Sequence, residues 1–171
     1  MKEAGLKYDH KLNERVSFFG SIVYFDQYLT NVRTLITGNT GVPKAVQSAK
    51  DSVKGWEFDL TTRLKTGTGY ADVIFTLYDA DGVTAAGLPV NNHNEKIYSI
   101  LGKYTFTSGP LGGLMVGGGM SATGDKLAGG SYWVEEEPTY ELFGRYQFSR
   151  RLSLQVNLHN ITGERNIIGI A

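Results

Sequence analysis

The stretch Leu152-Ser-Leu-Gln-Val-Asn-Leu-His159 decides the fold class, because its apolar and polar residues alternate without a break. Successive side chains of a β-strand point to opposite faces, so this pattern predicts a strand with one apolar and one polar face. The apolar face carries Leu152, Leu154, Val156 and Leu158. The polar face carries Ser153, Gln155, Asn157 and His159. A helical period is absent from this stretch.

The same period of two recurs along the chain and predicts seven further strands. With the first one, the predicted strands are 4–10, 16–28, 55–65, 70–80, 96–107, 114–123, 139–148 and 152–160. The 22 glycines, four prolines and 12% aromatic residues suit strands joined by turns. We therefore predict an all-β fold, an antiparallel meander of about eight strands, and the lengths of its loops and the character of its two faces indicate a transmembrane β-barrel.

The connections between these strands alternate in length. Short ones lie at 11–15, 66–69, 108–113 and 149–151, and long polar ones at 29–54, 81–95 and 124–138. In an antiparallel meander this alternation places every short turn at one end and every long loop at the other. Outer-membrane barrels have this layout, with short periplasmic turns and longer extracellular loops.

Alternation alone leaves open which face points outward, since a soluble lipocalin-like barrel keeps its apolar face inside, around a ligand. Two features favour an apolar face that meets lipid. The polar face is rich in charges, such as Glu57, Arg63 and Arg145, which suit a hydrated lumen. Aromatic residues also flank the apolar face at both ends. From Tyr98 to Phe106 is eight residues, which spans roughly 20 Å of membrane at ~3.3 Å per residue and a tilt near 40°.

Composition excludes several classes of protein. Seventeen basic residues balance seventeen acidic ones, so no net field attracts nucleic acid. The chain has no cysteine, which removes disulfide scaffolds and thiol catalysis. No apolar run reaches the roughly 18 residues of a spanning helix. The first residues contain no apolar segment of the kind that a signal peptide has.

Four segments together resemble the C-terminal barrel region of TonB-dependent outer-membrane receptors, especially ferric-siderophore receptors. They are EAGLKYD at 3–9, KGWEFDL at 54–60, GPLGGLMVGGG at 109–119 and NLHNITGER at 157–165. Two positions depart from the family pattern: Gly163 stands where Asp is usual, and Asn166 where an aromatic residue is usual.

The resemblance implies one domain, 1–171, that is a partial receptor barrel without its plug domain and last strand. It implies a receptor of the Gram-negative outer membrane that imports a ferric siderophore or similar chelate and is not an enzyme. Its expected partners are the siderophore, membrane lipid, and the TonB energy-coupling complex acting through the plug region. No nucleic acid partner, catalytic residue, cofactor or metal site is expected, and iron enters only as the transported chelate.

Four residues are candidates for ligand contact. Tyr132 and Trp133 are adjacent aromatic residues in a long outer loop and can stack on a chelate or anchor the loop at the interface. Arg63 and Arg145 lie on the charged face, where they can guide an anionic chelate or join a lumenal charge network with Glu141 and other residues. The run Glu135-Glu136-Glu137 predicts a solvated loop.

Two other proteins fit the same strands. One is a self-contained eight-stranded outer-membrane barrel with a structural or adhesive role, and the other is a soluble ligand-binding barrel. Eight strands are enough to close a small barrel, but such a barrel has room only for side chains inside. So many inward charges need a wider, hydrated lumen. We therefore expect an open curved sheet whose first and last strands do not pair with each other.

Overall fold

The structure is a computed structural model that describes residues 1–30, 33–37, 41, 43–47, 50–84, 87–90, 93–128, 132–134 and 136–165. These residues form twelve β-strands: β1 (Lys2–Lys11), β2 (Val16–Thr30), β3 (Arg33–Thr37), β4 (Pro43–Gln47), β5 (Lys50–Lys65), β6 (Gly69–Val83), β7 (Lys96–Phe106), β8 (Leu114–Thr123), β9 (Lys126–Ala128), β10 (Tyr132–Val134), β11 (Thr139–Ser149) and β12 (Leu152–His159). Within the described residues there is no helix long and apolar enough to cross a membrane.

Eight strands form one antiparallel sheet in the order β1-β2-β5-β6-β7-β8-β11-β12. Each strand pairs with its neighbours in the meander, so all short turns lie at one end and all long loops at the other. Two small hairpins, β3–β4 and β9–β10, lie within the first and third long loops. The predicted meander and its separation of turns from loops are confirmed.

The register divides the sheet into two faces of opposite character. Leu158 pairs with Leu142 and Leu154 with Tyr146, whereas Arg145 pairs with Gln155 on the other side. Followed from strand to strand, the first set forms an apolar outward face and the second a polar inner face. The predicted faces are therefore confirmed. Among the described residues the only buried hydrophobic ones are Phe25, Ala80 and Ala122, so the sheet encloses almost no core of its own.

The sheet is open. Every described side chain of β1 and of β12 is exposed, and no pairing joins these two outermost strands in the described part of the chain. Each therefore has one edge of unpaired backbone N–H and C=O groups. The expectation of an open sheet is confirmed, and a closed eight-stranded barrel is excluded for this structure.

The strands differ in length, which the sequence pattern understated. Strands β2, β5 and β6 have 15, 16 and 15 residues, whereas β7, β8, β11 and β12 have between 8 and 11. The pairing of β2 with β5 continues to Thr30 and Lys50, so the predicted loop 29–54 was wrong at both ends. Polar residues pair in this extension because it lies beyond the apolar band, where apolar alternation is not required.

Candidate functional site

The inner face carries a buried aspartate, Asp72, that lies against two positively charged side chains. Asp72 on β6 lies between Arg63 on β5 and Lys103 on β7, because the register makes all three cross-strand partners. Arg63 donates from Nε and Nη2 to the two carboxylate oxygens at 2.6 and 3.0 Å, and Lys103 Nζ lies 3.7 Å away. The Arg63 guanidinium also lies 4.4 Å from the centre of the Tyr70 ring. The Asp72 side chain is 3% exposed, so the pair is shielded from water on one side.

The charges of the inner face are segregated along the strands. In the described sheet, six cations and two acids lie within four residues of a short-turn end: Lys7, Lys11, Arg63, Lys65, Lys103, Arg145, Asp9 and Asp72. Farther toward the long loops lie five acids and no lysine or arginine: Glu3, Asp51, Glu57, Asp59 and Glu141. The inner wall is therefore positive near the short turns and negative above them.

Only part of the charge network expected from the sequence is present among the described residues: Arg63 pairs with Asp72. Glu141 does not pair with Arg145; it lies 3.1 Å from His159 Nδ1 on the next strand. Arg145 is exposed and makes no ion pair with the described residues. Asp72, which the sequence analysis passed over, is the central acid. Its position directly opposite an arginine and a lysine is a matter of cross-strand register, which the periodicity of a single strand does not contain.

The outer end has an aromatic hairpin beside an open cleft. Trp133 and Tyr132 on β10 are 54% and 70% exposed. Trp133 pairs with Leu127 on β9, and its side chain lines a cleft of about 490 Å³ with Glu95, Lys96, Gly124 and Asp125. An indole next to carboxylates and an ammonium group offers stacking and polar contacts to a ligand.

A buried ion pair fixes this hairpin to the sheet. Glu136 accepts hydrogen bonds from the Lys126 ammonium and the Thr123 hydroxyl, and the Lys126 and Glu136 side chains are 5% and 10% exposed. Burial raises the pKa of Glu136, but the hydrogen bonds from Lys126 and Thr123 outweigh burial and hold that pKa below its usual value. The prediction of a solvated loop at 135–137 was therefore wrong for Glu136; Glu135 lies outside the described residues.

The second long loop bends over the inner face. The His93 ring lies edge-on to Tyr78, with 6.4 Å between ring centres, and its Nε2 is 3.1 Å from the carbonyl oxygen of Ala80. Gly82 makes room for this contact, since a Cβ there would lie 2.9 Å from the His93 ring. Phe25 on β2 stacks on Tyr78 across the intervening strand β5, at 5.6 Å between ring centres. Aromatic side chains thus line the inner wall near the long loops.

Of the four candidate residues, only Tyr132 and Trp133 lie next to each other. Tyr132 and Trp133 lie together beyond the loop end of the sheet, whereas Arg63 and Arg145 lie near the short turns. Those two arginines are four strands apart, which is roughly 19 Å along the wall at ~4.8 Å per strand. The described residues hold no group of three or more His, Cys, Asp or Glu side chains that suits a metal ion.

Comparison with known proteins gives a family and a fold. Residues 2–161 match the family described as TonB dependent receptor-like, beta-barrel. A chain of the FpvAI–pyocin S2 complex is similar at a TM-score of 0.60 and 19% identity, covering 94% of this chain and 22% of that one. The ferric-catecholate import receptor Fiu from K12 E. coli, in its closed form, is similar at a TM-score of 0.62 and 18% identity, covering 98% and 24%.

No curated protein matches the sequence. The chain spans about a quarter of the length of these two solved chains.

Proposed function

The chain belongs to the TonB-dependent receptor family, whose β-barrel it matches over residues 2–161, and we propose that it forms part of a receptor that imports a ferric siderophore or a similar iron chelate. Barrels of this family lie in the outer membrane of Gram-negative bacteria. The apolar outward face is then the lipid contact, and the charged inner face lines the passage for the ligand. The similar structure of a ferric-catecholate import receptor supports an iron chelate as the ligand class.

The observation that carries this proposal is the combination of an open sheet with a charged inner face. A lipocalin-like barrel needs an apolar interior, whereas this inner face carries thirteen Asp, Glu, Lys and Arg residues in the described sheet. A self-contained eight-stranded barrel needs β1 to pair with β12, and these strands are not paired. A segment of a wide barrel meets neither difficulty, because neighbouring strands complete the sheet and water hydrates the charges.

We assign capture of the chelate to the outer cleft. Trp133 gives a flat, half-exposed ring on which a chelate stacks, and Tyr132 extends this surface. The Lys126–Glu136 pair holds the hairpin in place, so the stacking surface is ordered before the ligand arrives. Passage along the wall then brings the chelate to Arg145, whose guanidinium is free of ion pairs with the described residues, and to the half-exposed side of Arg63.

No covalent step is part of this function. We expect the TonB energy-coupling complex to act through a plug region outside this sequence and to release the ligand toward the short-turn end. The cations near the short turns attract an anionic chelate that has passed the acidic upper wall. The ligand binds and leaves unchanged, so the residues named here bind and guide rather than react.

Uptake by the complete receptor tests this proposal. Cells that carry it as their sole siderophore receptor are supplied with ⁵⁵Fe bound to a catecholate or to a hydroxamate chelate. We expect TonB-dependent accumulation of one chelate class, and a reduction of about fivefold in its affinity in Trp133→Ala, since stacking on an aromatic ring is worth roughly 1 kcal/mol. Trp56→Phe is the matched control, because Trp56 lies on the lipid side. Uptake of neither class, or equal uptake without TonB, contradicts the proposal.

A further inference from the structure

The four short turns of the sheet differ in charge. The turn between β11 and β12 contains Arg150 and Arg151, and the turn between β1 and β2 contains Arg15 beside Glu14. The turn between β5 and β6 and the one between β7 and β8 contain no charged residue. The fourth turn thus has two positive charges without an acid, at the end of the sheet that borders the periplasmic leaflet.

Apolar side chains on the lipid side adjoin these two arginines. Phe148 precedes them, is 58% exposed and meets Tyr146 edge-on with 4.8 Å between ring centres. Leu152 follows them and is 62% exposed. The pairing of β11 with β12 has a register shift between Gln147 and Ser149, at the start of the turn. The Arg151 amide donates to Ser149 Oγ at 3.3 Å, which fixes the turn backbone.

Both guanidinium groups and the Tyr146 hydroxyl remain available. Arg150 and Arg151 are exposed and make no ion pair with the described residues. Tyr146 has no hydrogen-bond partner among those residues for its hydroxyl. The equivalent aromatic pair beside an uncharged turn differs: the Tyr104 hydroxyl is 2.5 Å from Thr66 Oγ1 and 2.8 Å from Thr68 Oγ1. The Tyr104 hydroxyl thus has hydrogen-bond partners within the protein, whereas the Tyr146 hydroxyl can donate to another molecule.

We propose that Tyr146, Phe148, Arg150, Arg151 and Leu152 form a binding site for an anionic phospholipid of the leaflet that borders the short turns. The two arginines hold the phosphate of the headgroup, for which the planar guanidinium is well suited. The Tyr146 hydroxyl donates to the phosphate or glycerol oxygens, and the acyl chains lie on Phe148, Leu152 and the apolar row that continues along β12. The site is continuous with the lipid-facing surface, so a lipid reaches it without leaving the membrane.

The test is lipid retention by the complete receptor, measured by native mass spectrometry after transfer from vesicles of phosphatidylglycerol and phosphatidylcholine with identical acyl chains. We expect the wild type to retain phosphatidylglycerol in preference to phosphatidylcholine. In Arg150→Gln/Arg151→Gln the affinity falls by about 30-fold, from roughly fivefold for each basic residue near an anionic surface. Arg150→Lys/Arg151→Lys keeps most of the affinity.

Two controls separate this site from general charge effects. Lys7→Gln/Lys65→Gln removes the same charge from the inner face and should leave lipid retention unchanged. Inorganic phosphate at millimolar concentration should not displace the lipid, since it lacks acyl chains. Equal retention of the two lipids, unchanged retention in the double glutamine variant, or displacement by phosphate overturns the proposal; the last result indicates a site for a free anion instead.

Discussion

On the outward face Leu154, Val156 and Leu158 are each more than half exposed, whereas on the inner face Asp72 is almost completely buried. This distribution is the reverse of that in a water-soluble domain, where leucine lies inside and aspartate outside. The outward face depends on lipid to cover it, and nothing within the sheet replaces that contact. The inner face is held by side-chain packing and charge pairs between strands. The same strands therefore respond to substitution according to the face that is changed.

The sharpest test of this comparison is an arginine placed on either face of β12. Val156→Arg puts a charge in the lipid near mid-strand and should cost about 2–4 kcal/mol in the free energy of unfolding in a bilayer. Gln155→Arg, one residue away on the inner face, should cost little. Urea titration of the complete receptor in lipid vesicles measures both. Equal costs at the two positions mean that the outward face does not meet lipid.

Two glycines on opposite faces, Gly117 and Gly102, give the second test, because their surroundings differ. A Cβ at Gly117 on the inner face would lie 2.5 Å from Phe143 Cζ and 2.6 Å from the carbonyl oxygen of Gly102. Gly117→Ala should therefore destabilise the receptor by about 1–3 kcal/mol through overpacking. Gly102→Ala, whose new methyl group meets no atom within 4 Å, should be neutral or slightly stabilising. The same urea titration measures both variants, and a larger loss at Gly102 contradicts the close packing around Gly117.

The charge cluster of Arg63, Asp72 and Lys103 gives the third test. Asp72→Asn keeps the shape of the side chain but leaves Arg63 and Lys103 close together without their acid. The expected loss is about 1–2 kcal/mol, below the value for a fully buried pair because nearly half of the Arg63 side chain is in water. Asp59→Asn is the control: Asp59 is exposed and accepts one hydrogen bond from Ser21, so its change should cost under about 0.5 kcal/mol. Similar losses at both positions would show that the cluster has no special role.

A pH titration of the outer hairpin gives the smallest effect. The pKa of Glu136 lies below its unfolded value of 4.5, so its contribution to stability is complete above pH 4.5 and is lost as the pH falls through the folded pKa. In the complete receptor with every tryptophan except Trp133 replaced by phenylalanine, the fluorescence of Trp133 should then shift to longer wavelength, with a midpoint below pH 4.5. Glu136→Gln removes this transition. A transition that persists unchanged in Glu136→Gln contradicts this assignment.

The sequence alone predicts the strands inside the membrane well, because lipid on one side imposes strict alternation. The segment 114–123 is bounded as the periodicity indicates, and the others differ by a few residues. Beyond the apolar band that constraint ends, so the extension of β2 and β5 and the hairpins β3–β4 and β9–β10 went unpredicted. For the site, Tyr132 and Trp133 were noticed as exposed aromatic residues. The partners Asp72, Lys126 and Glu136 were missed, because each contact joins residues from different strands or loops.

The unequal strand lengths make this part of the barrel wall uneven in height. Strand β5 continues six residues past Trp56, which at ~3.3 Å per residue and a tilt near 40° raises its end about 15 Å above the membrane boundary. Strands β7, β8 and β11 stop near that boundary, so the wall is tall on one side and low on the other. We expect a ligand that approaches from outside the cell to reach the cleft beside Trp133 over the low side of this part of the wall.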